Sequence, residues 1–180
     1  MTEKLFYEDP FLKEFSGTVL DCREEKGQWI VTLDRTAFYP EGGGQPADHG
    51  ILGNVKVFDT REKNEEILHF CDGPVDIGET VTGTVDWARR FDFMQQHSGE
   101  HIVSGLLCGK FGCEDVGFHI GHELVTIDFN TELSTEDLIF VENEANRYIW
   151  ADQKIQIAWP SPTELENMEY RSKKALSGAV

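Results

Sequence analysis

The chain has 180 residues and a net charge of −17 at pH 7, from 33 acidic against 16 basic side chains, with 39% hydrophobic and 11% aromatic residues. This composition supports a packed core and excludes a disordered chain, and the length allows one domain or two small ones. No apolar run approaches the roughly 18 residues of a membrane span, the charged start MTEKLFYEDPFLKEF lacks a signal-peptide core, and the acidic balance alone argues against nucleic acid.

These features lead us to expect a soluble, cytoplasmic protein. Its four cysteines, Cys22, Cys71, Cys108 and Cys113, form no CxxC pair and read as free thiols. The acidic excess is uneven. Acids dominate 132–144, a solvated helix face, whereas basic residues cluster at Arg89–Arg90 and at Arg171, Lys173 and Lys174.

Residues 1–86 read as strands and turns. SGTVLDC and QWIVTLDR alternate apolar and polar at period two around the charged turn EEKG. GILGNVKVFDT, EEILHF and GETVTGTVDW continue that pattern with turn residues between them. Five or so short strands joined by glycine-containing turns predict a small barrel or sandwich.

After Trp87 the period changes. Residues 87–110 read as one long helix, although Gly99 and Gly105 each cost about 1 kcal/mol relative to alanine. A glycine beside the histidines serves either the close approach of a strand or ligand, or tight helix packing. GFHIGHE and LVTIDF then read as strands. Ser134 with Asp137 forms a capping box that starts a helix running to about Asp152, and KIQIAWP reads as a strand. Ser161-Pro162-Thr163-Glu164 opens a last helix with an N-cap, a proline at N1 and an acid at N3. Residues 87–180 therefore form an α+β unit behind the strands of 1–86.

Two stretches carry chemistry. In FDFMQQHSGEHIVSGLL, residues 91–107, His97 and His101 lie four apart on one helix face, a spacing at which two imidazoles can share one zinc. The bare pair has a second reading, as partly buried rings satisfied by backbone and water. His97-Ser98-Gly99-Glu100-His101 also matches the His-x-x-Glu-His pattern of one class of zinc peptidases, with Glu100 as general base. The other stretch is LDRTAFYPEGGGQPADHG, residues 33–50, where Gly42, Gly43 and Gly44 precede Gln45. Consecutive glycines let the backbone take positive φ and approach a ligand closely; they equally suit a tight loop between strands.

Taken together and in this order, Thr-x-Phe-Tyr-Pro…Gly-Gly-Gly-Gln, then His-x-x-x-His, the strand Thr126–Phe129 and the tail Tyr170–Gly178 resemble the editing domain of alanyl-tRNA synthetase and its free-standing AlaX-type relatives. The resemblance spans the whole chain. It implies an α+β fold with a small N-terminal β-barrel in 1–86 and a two-layer α/β editing core in 87–180. It implies hydrolysis of the aminoacyl ester of tRNA(Ala) wrongly charged with serine or glycine. It also implies one Zn2+, held by His97 and His101 and then by a Cys-x-x-x-His pair.

No Cys-x-x-x-His occurs before Val180, so the chain is expected to be the N-terminal portion of a longer protein, with half of its metal site. Cys113, His119 or His122 could complete that site. A site that removes serine and spares alanine should hydrogen-bond the extra hydroxyl, because a polar site left unpaired discriminates better than shape. Thr36 is the residue expected to read it. Under the resemblance, Gln45 and the amides of Gly42, Gly43 and Gly44 hold the terminal adenosine or the ester carbonyl. Arg89, Arg90, Arg171, Lys173 and Lys174 meet acceptor-stem phosphates. Glu100, one residue from His101, should point about 100° away from the histidine face, which ranks it below them as a base. Besides the deacylase, a metallopeptidase and a non-catalytic tRNA-binding piece remain as alternatives.

Overall fold

The computed structural model describes residues 1–121 and 123–168. The fold is α+β. A short strand β1 (Glu3–Lys4) and a single helical turn α1 (Leu5–Glu8) lead into β2 (Glu14–Glu25) and β3 (Gln28–Leu33), and β4 (Arg35–Thr36) pairs in parallel with β1. Then follow β5 (Gly50–Leu52), β6 (Val55–Lys63), β7 (Glu66–Cys71) and β8 (Thr80–Val85). The antiparallel ladder runs β2-β3-β7-β6-β5-β8 and returns from β8 to β2, so the six strands close into a barrel.

Closure depends on two long strands that change partners. The first half of β2, Glu14 to Thr18, pairs with β8, and its second half, from Val19, pairs with β3 after a bulge between Val19 and Asp21. β6 does the same between β5 and β7, with its bulge between Val57 and Asp59. Bulges bend a strand and increase its twist, which turns a sheet's corner. Two hairpins are tight two-residue turns at positive φ, Lys26-Gly27 (53° and 78°) and Asn64-Glu65 (53° and 63°). These match the twist of the flanking strands. Phe15, Val19, Val31, Leu33, Phe38, Leu52, Val57 and Val81 fill the interior.

Asp86 ends the barrel by capping α2 (Trp87–Phe111), its carboxylate accepting from the Arg89 N–H at 3.2 Å; Gly112 closes the helix in the left-handed region. β9 (Asp115–Ile120) and β10 (Val125–Phe129) form an antiparallel pair. α3 (Thr135–Trp150) starts at the Ser134/Asp137 capping box, and α4 (Pro162–Asn167) at the Ser161/Glu164 box, as expected. A second core around Leu107, Cys113 and Val141, with Val103, Phe111 and Phe129 against it, joins α2 and α3 to this sheet.

Two expectations are corrected. GILGNVKVFDT is two strands, because Gly53-Asn54 turns the chain back on itself. KIQIAWP joins no ladder among the described residues: Ile155, Ile157 and Trp159 are exposed at 73%, 57% and 57%. Its alternation supplies a strand propensity, but a strand also needs a neighbour for its backbone hydrogen bonds. No helix among the described residues is long and apolar enough to cross a membrane.

Candidate functional site

The site forms where the loop between β4 and β5 meets α2. The loop is pinned at both ends. The Tyr39 N–H donates to Asp48 Oδ2 at 2.7 Å and the Asp48 N–H to the Tyr39 carbonyl at 2.9 Å. From α2, the buried Arg90 guanidinium grips the Asp48 carboxylate, with Nε 2.9 and 2.8 Å from its two oxygens. The same guanidinium donates to the carbonyls of Ala37 (2.6 Å) and Pro10 (3.0 Å). Arg90, expected on acceptor-stem phosphates, is thus only 2% exposed and fully engaged in docking the helix. A guanidinium desolvated this far is stable because each of its three nitrogens finds an acceptor.

At its tip the loop makes a turn in which the Gly42 N–H donates to the Gln45 carbonyl (3.1 Å) and the Gln45 N–H to the Gly42 carbonyl (3.0 Å). Gly43 and Gly44 sit at φ 60° and 83°, conformations that side-chain-bearing residues adopt at a cost. The turn is pressed against its surroundings on two sides. A Cβ on Gly43 would lie 3.5 Å from His97 Cε1, and one on Gly44 would collide with the Phe118 ring at 2.5 Å. Phe118 itself packs on His97, with ring centroids 5.3 Å apart.

Gln45 then joins the two motifs directly: its buried side-chain oxygen lies 3.0 Å from His97 Nδ1. An amide oxygen is an acceptor, so Nδ1 carries the proton and the Nε2 lone pair is left for a ligand. Burial pushes the His97 pKa below the ordinary imidazole value, and the neighbouring His101 pushes the same way, against Glu100. The neutral ring is the form that binds a metal. His101 stacks beside it, centroids 5.0 Å apart and planes within 17°.

Glu100 departs from the helical-wheel expectation. It is 5% exposed, and its Oε2 lies 3.2 Å from His101 Nδ1. The side chain is long enough to fold back over the 100° between successive Cβ directions. One donor atom each from His97, Glu100 and His101 lies within 4.8 Å of the others, a set of two imidazoles and a carboxylate that fits a divalent cation.

The other proposed ligands do not gather there. Cys113 is buried in the second core with Leu107 and Val141. His119 is exposed on β9, next to Phe118; successive residues of a strand point to opposite faces, so it turns away from His97. His122, Arg171, Lys173 and Lys174 lie outside the described residues. Among the described residues, a Cβ on Gly99 would meet nothing within 4 Å, so no described strand or packed helix explains that glycine.

Thr36 is also repositioned. Its side chain is fully buried, with Oγ1 2.9 Å from His69 Nε2 and accepting from the Phe38 N–H at 3.1 Å. In this structure the hydroxyl is buried and engaged with His69. Its partner His69 was not singled out in the sequence, where it is one residue of an ordinary alternating strand.

A cleft of about 820 Å³ runs along the first half of α2, lined among others by Pro46, Arg89, Phe93, Gln96, Ile120 and Val125; Gln96 and Pro46 are the chain neighbours of His97 and Gln45. Arg89 is partly exposed there, its Nε donating to the Ala47 carbonyl at 3.1 Å and its guanidinium 4.5 Å from the centre of the Phe93 ring.

Comparison with known proteins bears on this arrangement. A family model described as tRNA synthetases class II (A) matches residues 5–89. The alanyl-tRNA editing protein AlaX-M of Saccharolobus solfataricus is 42% identical over 165 residues, covering 87% of this chain and 68% of that protein. AlaX-L of Pyrococcus horikoshii is 40% identical over 164 residues, 87% of this chain but 41% of its own length. The alanine–tRNA ligase of Pyrococcus abyssi is 38% identical over 175 residues, 92% of this chain and 19% of the ligase. The chain thus spans about two fifths of AlaX-L and a fifth of the ligase.

Proposed function

The chain belongs to the AlaX-type alanyl-tRNA editing family, and on that premise we propose that it hydrolyses the aminoacyl ester of tRNA(Ala) mischarged with serine or glycine. Such an activity answers a physical problem. A synthetase pocket shaped for a small apolar side chain rejects a near-isostere poorly, so a second site must remove the error. The proposed setting is the cytoplasm, where charged tRNA is used.

One observation carries the reading: Gln45 Oε1 lies 3.0 Å from His97 Nδ1, although the two residues are 52 apart in sequence. The two motifs that identify the family are therefore halves of one centre. His97 and His101 are the residues that would hold zinc. A bound zinc polarises an ester carbonyl or lowers the pKa of water towards about 7. Gln45 keeps the His97 ring in the tautomer that leaves Nε2 open. The exposed backbone of Gly43 borders the His97 ring and that of Gly44 the Phe118 ring, which would place the glycine turn beside an approaching ester. The cleft between Phe93, Gln96 and Pro46 has the size of a small-ligand pocket and would take the terminal adenosine. Arg89, at its rim, would meet a backbone phosphate, with Arg171, Lys173 and Lys174 as further phosphate contacts. Arg90 and Thr36 have no part in this reading.

The direct test is deacylation of Ser-tRNA(Ala), Gly-tRNA(Ala) and Ala-tRNA(Ala) by the purified, zinc-supplemented chain, beside a His97→Ala/His101→Ala variant. We expect release of serine or glycine, sparing of alanine, and loss of activity in the variant. A chain that binds tRNA but leaves all three esters intact would instead be a binding module.

A further inference from the structure

We propose that the cleft along the first half of α2 seats a single terminal nucleotide, and that Phe93 and Gln96 select adenine there. The inference rests on the reading above in taking an RNA 3′ end as the ligand, and it does not depend on the fate of the ester.

The first reason is the order of side chains along one row of the helix. Arg89, Phe93, His97 and His101 follow one another at intervals of four, so they project from successive turns of one face of α2. The row carries a cation, an aromatic ring and two imidazoles, each about 6 Å along the axis from the next. An RNA chain end presents a phosphate, a base and a 3′ oxygen. With the 3′ oxygen at the imidazoles, the base falls at Phe93 and its 5′ phosphate towards Arg89.

The second reason is the make-up of the cleft. One end reaches the histidine centre through Gln96 and Pro46, the chain neighbours of His97 and Gln45, and the β9–β10 hairpin forms the opposite wall. Its ionisable lining is Arg89, Asp92 and Glu123, one cation against two carboxylates. That balance opposes a run of phosphates and suits a chain end that brings one. Arg89 is held in place for it: Nε donates to the Ala47 carbonyl at 3.1 Å, and the guanidinium lies 4.5 Å from the centre of the half-buried Phe93 ring. Unstacked bases stack on aromatic rings and on guanidinium planes, and this pair supplies both.

The third reason is hydrogen-bond pattern. Gln96 is exposed, and its amide offers a donor and an acceptor together, the combination that matches the N6 amino group and N7 of adenine. Asp92, one turn earlier on the same side, is acceptor-only when ionised. It can take the second N6 hydrogen of adenine, whereas the O6 of guanine would meet it acceptor to acceptor.

The test uses the 180-residue chain and an uncharged tRNA(Ala) acceptor minihelix ending in adenosine, in purine riboside (which lacks the 6-amino group) or in guanosine. Affinities are measured by fluorescence anisotropy for the wild type, Gln96→Ala, Phe93→Leu and a control, Gln95→Ala, at an exposed residue outside the cleft. Wild type and control should bind the adenosine end at least about 5-fold more tightly than either other end. Gln96→Ala should lose most of the preference over purine riboside. Phe93→Leu should weaken binding of every end by about 5-fold or more, the value of one base stack. No binding by the wild type, no preference for adenosine, an undiminished preference in Gln96→Ala or undiminished affinity in Phe93→Leu would each overturn the assignment. An adenosine preference beside an intact mischarged ester would refute the deacylase reading and leave this one standing. Hydrolysis of that ester without the preference would do the reverse.

Discussion

Gly43 and Gly44 are neighbours in one turn, both at positive φ, yet the space around them differs. A methyl group on Gly43 would make an ordinary contact with the His97 ring, so Gly43→Ala should cost only the left-handed backbone penalty of about 1–2 kcal/mol. Gly44→Ala adds a methyl 2.5 Å from Phe118 Cδ1 and 3.1 Å from the Phe118 carbonyl oxygen, so ring or loop must move. Urea unfolding should therefore show Gly44→Ala to be less stable than Gly43→Ala by a further 1–3 kcal/mol or so. Equal unfolding midpoints would mean that the loop does not press on β9. Gln45 acts at the same scale: its Oε1, 3.0 Å from His97 Nδ1, is placed to orient the ring.

Between elements, the Arg90–Asp48 pair docks α2 against the barrel. It ties the first turn of the helix to the loop that carries Gln45, so the position of His97 depends on it. Removing one partner leaves a buried charge uncompensated, and Arg90→Met should destabilise the protein by about 3–5 kcal/mol. Asp48→Asn should cost a similar amount, and the double variant clearly less than the sum, because each single change strands the other group. Additive losses in denaturant unfolding would contradict a direct pair. Two adjacent arginines thus have different work: Arg89 stays at the cleft rim while Arg90 is internal. Nothing in the dipeptide Arg-Arg distinguishes them, since the choice follows from which helix face meets Asp48.

For the molecule as a whole, acid stability follows from a histidine inside the barrel. His69 is enclosed, its Nδ1 donating to the Val31 carbonyl at 2.9 Å, and burial pushes its pKa down to about 4 from 6.5. The unfolded chain therefore takes up this proton at a higher pH than the folded one does. Stability is fully present above pH ~6.5 and is lost as pH falls towards ~4, by about 3 kcal/mol in total from this group. Between pH 7.5 and 5.5 the wild type should lose about 1 kcal/mol more than His69→Gln in urea unfolding. Parallel losses in both proteins would remove His69 as the cause. The net charge of −17 adds a second, global constraint. A nucleic-acid partner would have to be met by a local basic patch, and with Arg90 internal, Arg89 is the member of that patch among the described residues.

Much of the local architecture was legible before folding. The tight turns around Lys26-Gly27, the period-two strands, the helix from Trp87 and both capping boxes depend on residues within a few positions of one another. The His97/His101 face depends only on helical pitch. The family was legible too, because its two motifs are short and ordered. What the tertiary structure alone decided involves distant partners: Gln45 on His97, Arg90 on Asp48, Thr36 turned inward onto His69. The same holds for KIQIAWP, whose alternation is real but which pairs with no described strand. Alternation and pitch state which way a side chain faces; they do not state what stands opposite. That depends on contacts across 30 to 50 residues, which form only when the barrel closes and α2 docks on it.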